Sequence, residues 1–309
     1  MLTLSGSIEL PDHNQPGGFD HAALHLRNRR LYVAHTVNDA LDVIDLDSDR
    51  YIYSIPGLIG VAGVLVSEEK NLVFSSNRGE NTISIFSPEN ETRTAKVKVG
   101  ISPNGLSFDP QRGLLLAANV GDPELPGSFS LSIVDVEKRK MVADIPVPGR
   151  TRWTIFDSQT DVFYVNIANP PQIVVVNPYQ LSEIAGVIEI PITGPHGLDL
   201  DPKNKRIFCA CDGWQLVTVD AATGDILNQI PLSGMPDVVF FNAALHHLYV
   251  AIGDPGVIDV FDTAILQQVE SMHTEKGAHT IGFDPLQNKV FAFCPQTHRA
   301  LVYIDNPLI

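Results

Sequence analysis

Short apolar runs alternate with turn residues along the whole chain, and no run keeps a 3.6-residue apolar period over the length of a helix. One kind of run is almost continuously apolar, as in RLYVAH (30–35) and HLYVAI (247–252). Another kind alternates apolar and polar residues and ends in Pro or Gly, as in AKVKVG (95–100). Segments of this length between Gly, Pro, Asn and Asp are typical of β-strands. The pattern therefore predicts an all-β protein built from many short strands.

The predicted strands recur in a fixed order. Seven apolar segments end in a similar tripeptide, 41 to 49 residues apart, at the marker residues Asp45, Phe86, Asp135, Asn177, Asp220, Phe261 and Asp305. Each repeat contains four apolar segments, so the sequence predicts a seven-bladed β-propeller with four-stranded blades. The last repeat lacks its outer strand, and residues 2–10 match the missing strand. We therefore expect the N-terminal strand to close the last blade, and residues 1–309 to form a single propeller domain.

Composition limits the partners that this propeller is expected to have. The net charge is −15 and no run of Lys or Arg is present, which disfavours binding to nucleic acid. No stretch approaches 18 apolar residues, and the N-terminus lacks the features of a signal peptide. The three cysteines form no disulfide framework and fit a reducing compartment. We expect a cytoplasmic protein with a small-molecule ligand and no membrane partner; the sequence defines no oligomeric state.

The repeats resemble those of a known propeller family. PNGLSFDP (103–110), PHGLDLDP (195–202), LYVAH (31–35) and VIDL (43–46) are similar to the YVTN repeats of YncE-like seven-bladed propellers. The resemblance implies the fold, whereas the functions in that family range from binding and surface proteins to enzymes.

A second, local resemblance concerns chemistry. GPHGLDLD (194–201) and GAHTIGFD (277–284) look like segments of the streptogramin B lyases, which are also seven-bladed propellers. It implies that His196, and less completely His279 because Ala278 replaces a proline, help a divalent metal to open a cyclic ester. Counterparts of the acidic metal ligands of the lyases are not evident. Lactonases on related propellers similarly imply a metal or His–Arg–Asp site that acts on an ester.

Aligning the repeats places one residue of each inner strand around a mouth of the central channel. This ring is His21, Ala62, Asn104, Arg152, His196, Asp237 and His279. Imidazole and carboxylate groups bind divalent ions such as Zn²⁺, Fe²⁺ and Mn²⁺. We therefore predict a divalent metal ion as cofactor, and its predicted ligands are His21, His196, His279 and Asp237.

Two functions are compatible with this ring. The first is a metal-assisted hydrolase or lyase that acts on a small ester, lactone or hydroxylated compound. Its predicted catalytic residues are His196, Arg152 and Asp237, and its predicted substrate-binding residues are Asn104, Arg152 and Arg78. The second is a non-catalytic binding or scaffold propeller in which the ring lines a polar pore. The asymmetry of the ring favours the first, because charged and imidazole side chains are confined to five adjacent blades.

Overall fold

The chain folds into seven antiparallel four-stranded sheets, described by a computed structural model for residues 1–307 apart from the side chains of Thr92 and Arg93. The first blade contains, from the innermost strand outward, β2 (Phe19–His25), β3 (Arg30–His35), β4 (Ala40–Asp45) and β5 (Arg50–Pro56). The second contains β6 (Val61–Ser67), β7 (Leu72–Asn77), β8 (Thr82–Ser87) and β9 (Asn90–Lys98). The third contains β10 (Pro103–Asp109), β11 (Leu114–Asn119), β12 (Ser130–Asp135) and β13 (Lys140–Pro146).

The next three blades repeat this order. The fourth contains β14 (Thr151–Asp157), β15 (Val162–Ile167), β16 (Gln172–Val176) and β17 (Gly186–Glu189). The fifth contains β18 (Pro195–Asp201), β19 (Arg206–Cys211), β20 (Gln215–Asp220) and β21 (Ile226–Pro231). The sixth contains β22 (Pro236–Asn242), β23 (His247–Ile252), β24 (Val257–Asp262) and β25 (Gln267–His273).

The seventh blade joins the two ends of the chain. It contains β26 (Thr280–Asp284), β27 (Lys289–Cys294) and β28 (Arg299–Asp305), with β1 (Leu2–Glu9) as its outer strand. The register runs from Leu2 opposite Asp305 to Glu9 opposite Arg299. The predicted seven-bladed fold and its closure by the N-terminal strand are thus confirmed. Residues 308 and 309 of the predicted domain lie outside the described residues.

Burial follows from the position of each strand in its blade. Innermost strands of neighbouring blades contact one another around a complete ring that closes between β26 and β2. The second strands, such as β3 and β27, are buried on both faces because neighbouring blades cover them, which explains their continuous apolar runs. Outer strands such as β13 alternate between exposed and covered residues. In the described part of the chain, no helix is long and apolar enough to cross a membrane.

Candidate active site at the channel mouth

The strand register identifies the residues that surround the channel mouth. In six blades, the first inner-strand residue pairs with the last residue of the second strand, and the register then shifts before pairing resumes. The shift is a β-bulge, a feature that redirects side chains. The residue after the first pair belongs to this bulge in each blade. Together with its counterpart in the seventh blade, this set is Asp20, Ala62, Asn104, Arg152, His196, Asp237 and His279.

The register corrects one member of the ring that the sequence alignment predicted. Asp20, and not His21, is equivalent to His196. His21 occupies the next position, where several blades have glycine because the inner strands approach closely. A Cβ atom on Gly63, for example, would lie 2.0 Å from the carbonyl oxygen of Asn104 in the next blade. His21 and Trp153 are the ring-bearing residues at this position, and their ring centroids lie 4.1 Å apart although blades one and four are not neighbours.

His196 is placed between two carboxylates and a guanidinium group. Its Nδ1 lies 2.7 Å from Asp212 Oδ1. Its Nε2 lies 3.2 Å from Nη1 of Arg152 and 3.3 Å from Oδ1 of Asp237. Arginine only donates and a carboxylate only accepts, so Arg152 suits a neutral His196 and Asp237 suits a protonated one. Both protonation states of His196 therefore have a partner in place.

The carboxylates decide which state of His196 is favoured. Burial by itself would lower the pKa of His196, but Asp237 and Asp212 outweigh it and raise this pKa to about 9. Burial would raise the pKa of Asp237, yet His196 and His279 hold it well below its ordinary value. His279 Nδ1 lies 2.8 Å from Asp237 Oδ2, and this contact raises the pKa of His279 in spite of burial. His196 is therefore protonated at neutral pH, opposite an ionised Asp237.

His21 has the opposite protonation state. It is 5% exposed, and its Nε2 lies 3.4 Å from Asp20 Oδ1. Burial lowers the pKa of His21, and the attraction of Asp20 and Asp237 does not offset this effect. The positive charges of Arg78 and His196 lower it further. His21 is therefore a neutral imidazole at neutral pH, while His196 carries a proton.

Arginines pair with the carboxylates at the mouth. Nη2 of Arg78 lies 3.0 Å from Asp20 Oδ2, and Nη2 of Arg152 lies 3.3 Å from Asp212 Oδ2. Burial and then the positive charges of Arg152 and Arg78 lower the pKa of Arg150, which directly precedes β14. This concentration of arginines contrasts with the net charge of −15 of the whole chain.

The predicted substrate-binding residues retain unused polar atoms. Nε of Arg78, Nε of Arg152 and Oδ1 of Asn104 are buried and have no hydrogen-bond partner among the described residues. Buried polar atoms are normally paired, so these three atoms retain hydrogen-bonding capacity that the described residues do not use. The backbone beside them is fixed, since Asn166 Nδ2 donates to the carbonyl oxygen of His196 at 2.9 Å.

The structure thus brings most of the predicted residues together. His196, Asp237, His279 and Arg152 form one connected group, and Arg78 reaches the mouth through Asp20. Sequence reasoning missed Asp20, Asp212 and Arg150. The repeat offered a signal for one of them: FDH (19–21) aligns with PNG (103–105) and PHG (195–197), which puts Asp20 in the ring. Asp212 and Arg150 lie in loops just outside the strands, and Asp212 is equivalent to Arg78, since both follow a second strand and donate to the loop before the inner strand.

Similarity to known proteins shows the fold alone. No protein-family model and no curated protein sequence matches the chain. Among solved structures, a chain of "Kuenenia stuttgartiensis Hydrazine Synthase" is 12% identical with a TM-score of 0.79, and the match covers 94% of this chain and 96% of that chain. A chain of "Crystal Structure of Mitotic Checkpoint Complex" is 11% identical with a TM-score of 0.80, covering 98% and 92%. At such identity these neighbours support a seven-bladed propeller and carry no function over to it.

Proposed function

We propose that the channel mouth is the acid–base site of a hydrolase or lyase that acts on a small ester, lactone or hydroxylated compound. The observation that carries the proposal is the environment of His196. Its Nδ1 is held by Asp212 at 2.7 Å, and its Nε2 faces an acceptor for the protonated state and a donor for the neutral state. This arrangement orients the ring and provides a partner for each protonation state, which supports a role for His196 in proton transfer.

Two histidines with opposite pKa shifts suit the two proton transfers. Opening an ester by elimination requires a base that takes a proton from carbon and an acid that protonates the leaving oxygen. Hydrolysis requires a base that takes a proton from water. His21 is the neutral base and His196 is the protonated acid, because their surroundings shift their pKa values in opposite directions.

The arginines suit a substrate with an anionic or carbonyl oxygen. Arg78 and Arg152 each offer a buried Nε–H that has no partner among the described residues. Guanidinium groups bind carboxylates through paired hydrogen bonds and stabilise negative charge that develops on oxygen. We therefore expect a substrate that carries a carboxylate beside the ester or lactone group.

The divalent ion predicted from the sequence is a further part of the proposal. The Nδ1 atoms of His196 and His279 both contact carboxylates. In many metal-bound histidines one ring nitrogen makes such a contact and the other binds the metal, so Nε2 is the atom of each ring that would bind an ion. Within residues 1–307, however, no group of three or more His, Cys, Asp or Glu side chains has the spacing of a metal centre. An ion would supply Lewis-acid chemistry in place of the His196 proton, and the acid–base roles above do not require it.

One observation favours the second candidate, a non-catalytic binding propeller. Arg78, Arg152, His196 and His279 each already lie within 3.3 Å of a carboxylate. In a polar pore lining, charged side chains likewise pair with one another. This candidate predicts binding of a small carboxylate without its conversion.

Turnover of a substrate panel separates the two candidates. The panel contains esters and lactones with and without a carboxylate, and release of acid or of the elimination product is measured. We expect turnover by the wild-type protein and a loss of 100-fold or more in His196→Gln, since general acid catalysis contributes about 10²- to 10⁴-fold. His273→Gln, on the exposed outer strand β25, is the matched control and retains full activity. Equal turnover by both variants contradicts the proposal.

A further inference from the structure

Below the mouth, the channel contains a chamber of about 690 Å³. His21 and Trp153 line its upper end, and Leu26, Glu69 and Pro285 line the opposite end, where the turns after the inner strands lie. This volume is within the range of small-molecule sites, which is about 300 to 1,000 Å³. None of the seven bulge residues at the mouth lines the chamber, and His21 borders both spaces.

The wall of the chamber is apolar and contains several aromatic side chains among aliphatic ones. Besides Trp153, it is lined by Phe108, Phe156, Phe240, Phe241 and Phe283. The faces of aromatic rings carry partial negative charge and attract cations, most strongly where water is excluded. An apolar wall of this kind suits a ligand with an apolar body and allows a positive charge on it.

One carboxylate interrupts this apolar wall. Asp199 is the charged member of a ring of equivalent inner-strand residues, the others being Ala23, Leu65, Ser107, Ile155, Phe240 and Gly282. Its Oδ1 accepts a hydrogen bond from the backbone N–H of Leu200 at 2.8 Å, and its Oδ2 accepts one from Phe241 at 2.6 Å. None of the described residues that line the chamber is Lys or Arg. Asp199 therefore has no positively charged partner from the protein in this space.

Without a positive partner, the ionised form of Asp199 is destabilised. Burial raises the pKa of Asp199 to about 7, although the two backbone hydrogen bonds favour the carboxylate. The other titratable side chains around the chamber are His21 at its upper end and Glu68 and Glu69 at its lower end. The two glutamates place further negative charge at the lower end of the chamber.

We propose that the chamber binds an apolar organic cation, with its ammonium group against Asp199 and its apolar body among the phenylalanines. The cation supplies the charge that the protein does not, and the aromatic wall excludes water from the apolar body. The ligand enters from the end of the chamber that lies away from the mouth, and His21 is the residue that the chamber shares with the site at the mouth.

Three probes that share one frame test this proposal: 4-phenylbutylamine, 4-phenylbutanol and 4-phenylbutyrate. Their binding to the whole protein is measured by isothermal titration calorimetry at pH 8. We expect the amine to bind at least tenfold more tightly than the alcohol, and the carboxylate not to bind. Asp199→Asn is expected to remove the preference for the amine. Asp237→Asn, which removes a carboxylate from the mouth, is the matched control and keeps the preference.

A second measurement needs no variant and covers the case in which Asp199→Asn fails to fold. Since burial raises the pKa of Asp199 to about 7, part of this carboxyl group is protonated at pH 7, and binding of the amine is expected to release protons. Calorimetry in two buffers that differ in ionisation enthalpy measures this release. Equal affinities for the three probes, no proton release, or a preference that depends on Asp237 and not on Asp199 would overturn the proposal.

Discussion

Asp212 Oδ1 lies 2.7 Å from His196 Nδ1, and this contact joins a turn after the second strand of the fifth blade to its innermost strand. The same carboxylate holds Arg152 through its other oxygen, at 3.3 Å. Asp212 therefore orients two of the side chains that the proposed reaction needs, His196 and Arg152.

Replacing Asp212 tests this orienting role. We expect Asp212→Asn to lower the pKa of His196 from about 9, because one of the two carboxylates that raise it is removed. Turnover is expected to fall at least tenfold, and the basic limb of its pH profile is expected to move to lower pH. Titration of the His196 resonance by NMR and the pH dependence of kcat check both effects. A lower kcat with an unchanged His196 pKa would assign Asp212 a purely structural role.

The repeats made the fold predictable from the sequence. The β-bulges limited how well the site residues could be predicted. Strand order, blade number and the closing strand all follow from a pattern that recurs seven times. Residue spacing within a bulge differs from that of a regular strand, so an alignment by residue type assigned His21 to the position that Asp20 holds. Asp212 and Arg150 act from loops next to the strands, where the backbone bonds recur from blade to blade but the residue types do not.

Addition of a divalent ion tests the metal predicted from the sequence. Zn²⁺ must displace the proton of His196 to bind its Nε2, so we expect its affinity to increase as the pH rises from 7 to 9. Calorimetric titration at both pH values measures the change. The double variant His196→Ala/His279→Ala is expected to lose the site. Absence of binding to the wild-type protein, or binding that persists in the double variant, contradicts the predicted ligand set.

A cluster of histidines at the junction of the last and first blades predicts acid sensitivity. The ring of His13 lies 4.2 Å from that of His298 and 4.8 Å from that of His35, between centroids. Burial and then the neighbouring His35 and His298 lower the pKa of His13 to about 4. Between pH 6.5 and 4 the unfolded chain binds a proton that the folded protein does not, so stability is lost as the pH falls through this window.

His13→Gln removes the proton-binding group that causes this loss of stability. The melting temperature of the wild-type protein is expected to fall by several degrees more than that of the variant between pH 7 and pH 5. Thermal unfolding followed by circular dichroism provides the comparison, and His273→Gln serves as an exposed control that keeps the wild-type response. Parallel curves for wild type and His13→Gln would show that other groups cause the sensitivity.

Asp305 connects the two ends of the chain at the closing blade. It is 1% exposed, and it accepts hydrogen bonds from the N-terminal ammonium group at 2.7 Å and from Tyr249 at 2.6 Å. Its Oδ2 also lies 2.6 Å from Nδ1 of His247. Removing one partner of a buried charge pair costs about 3 to 5 kcal/mol. We therefore expect Asp305→Asn to lower the free energy of unfolding by about 3 kcal/mol, measured by urea denaturation.

Asp135 provides the matched control, because it ends the equivalent strand of the third blade but pairs with Lys138 at the surface. Asp135→Asn is expected to lower the free energy of unfolding by about 1 kcal/mol or less, as is usual for an exposed pair.

The stability that Asp305 provides depends on pH. Burial would raise the pKa of Asp305, but His247, the N-terminus and Tyr249 together lower it. Its contribution is therefore present above the unfolded pKa of about 3.9 and is lost as the pH falls below that value. Equal costs for the two variants at pH 7 would mean that the closing blade does not depend on this contact.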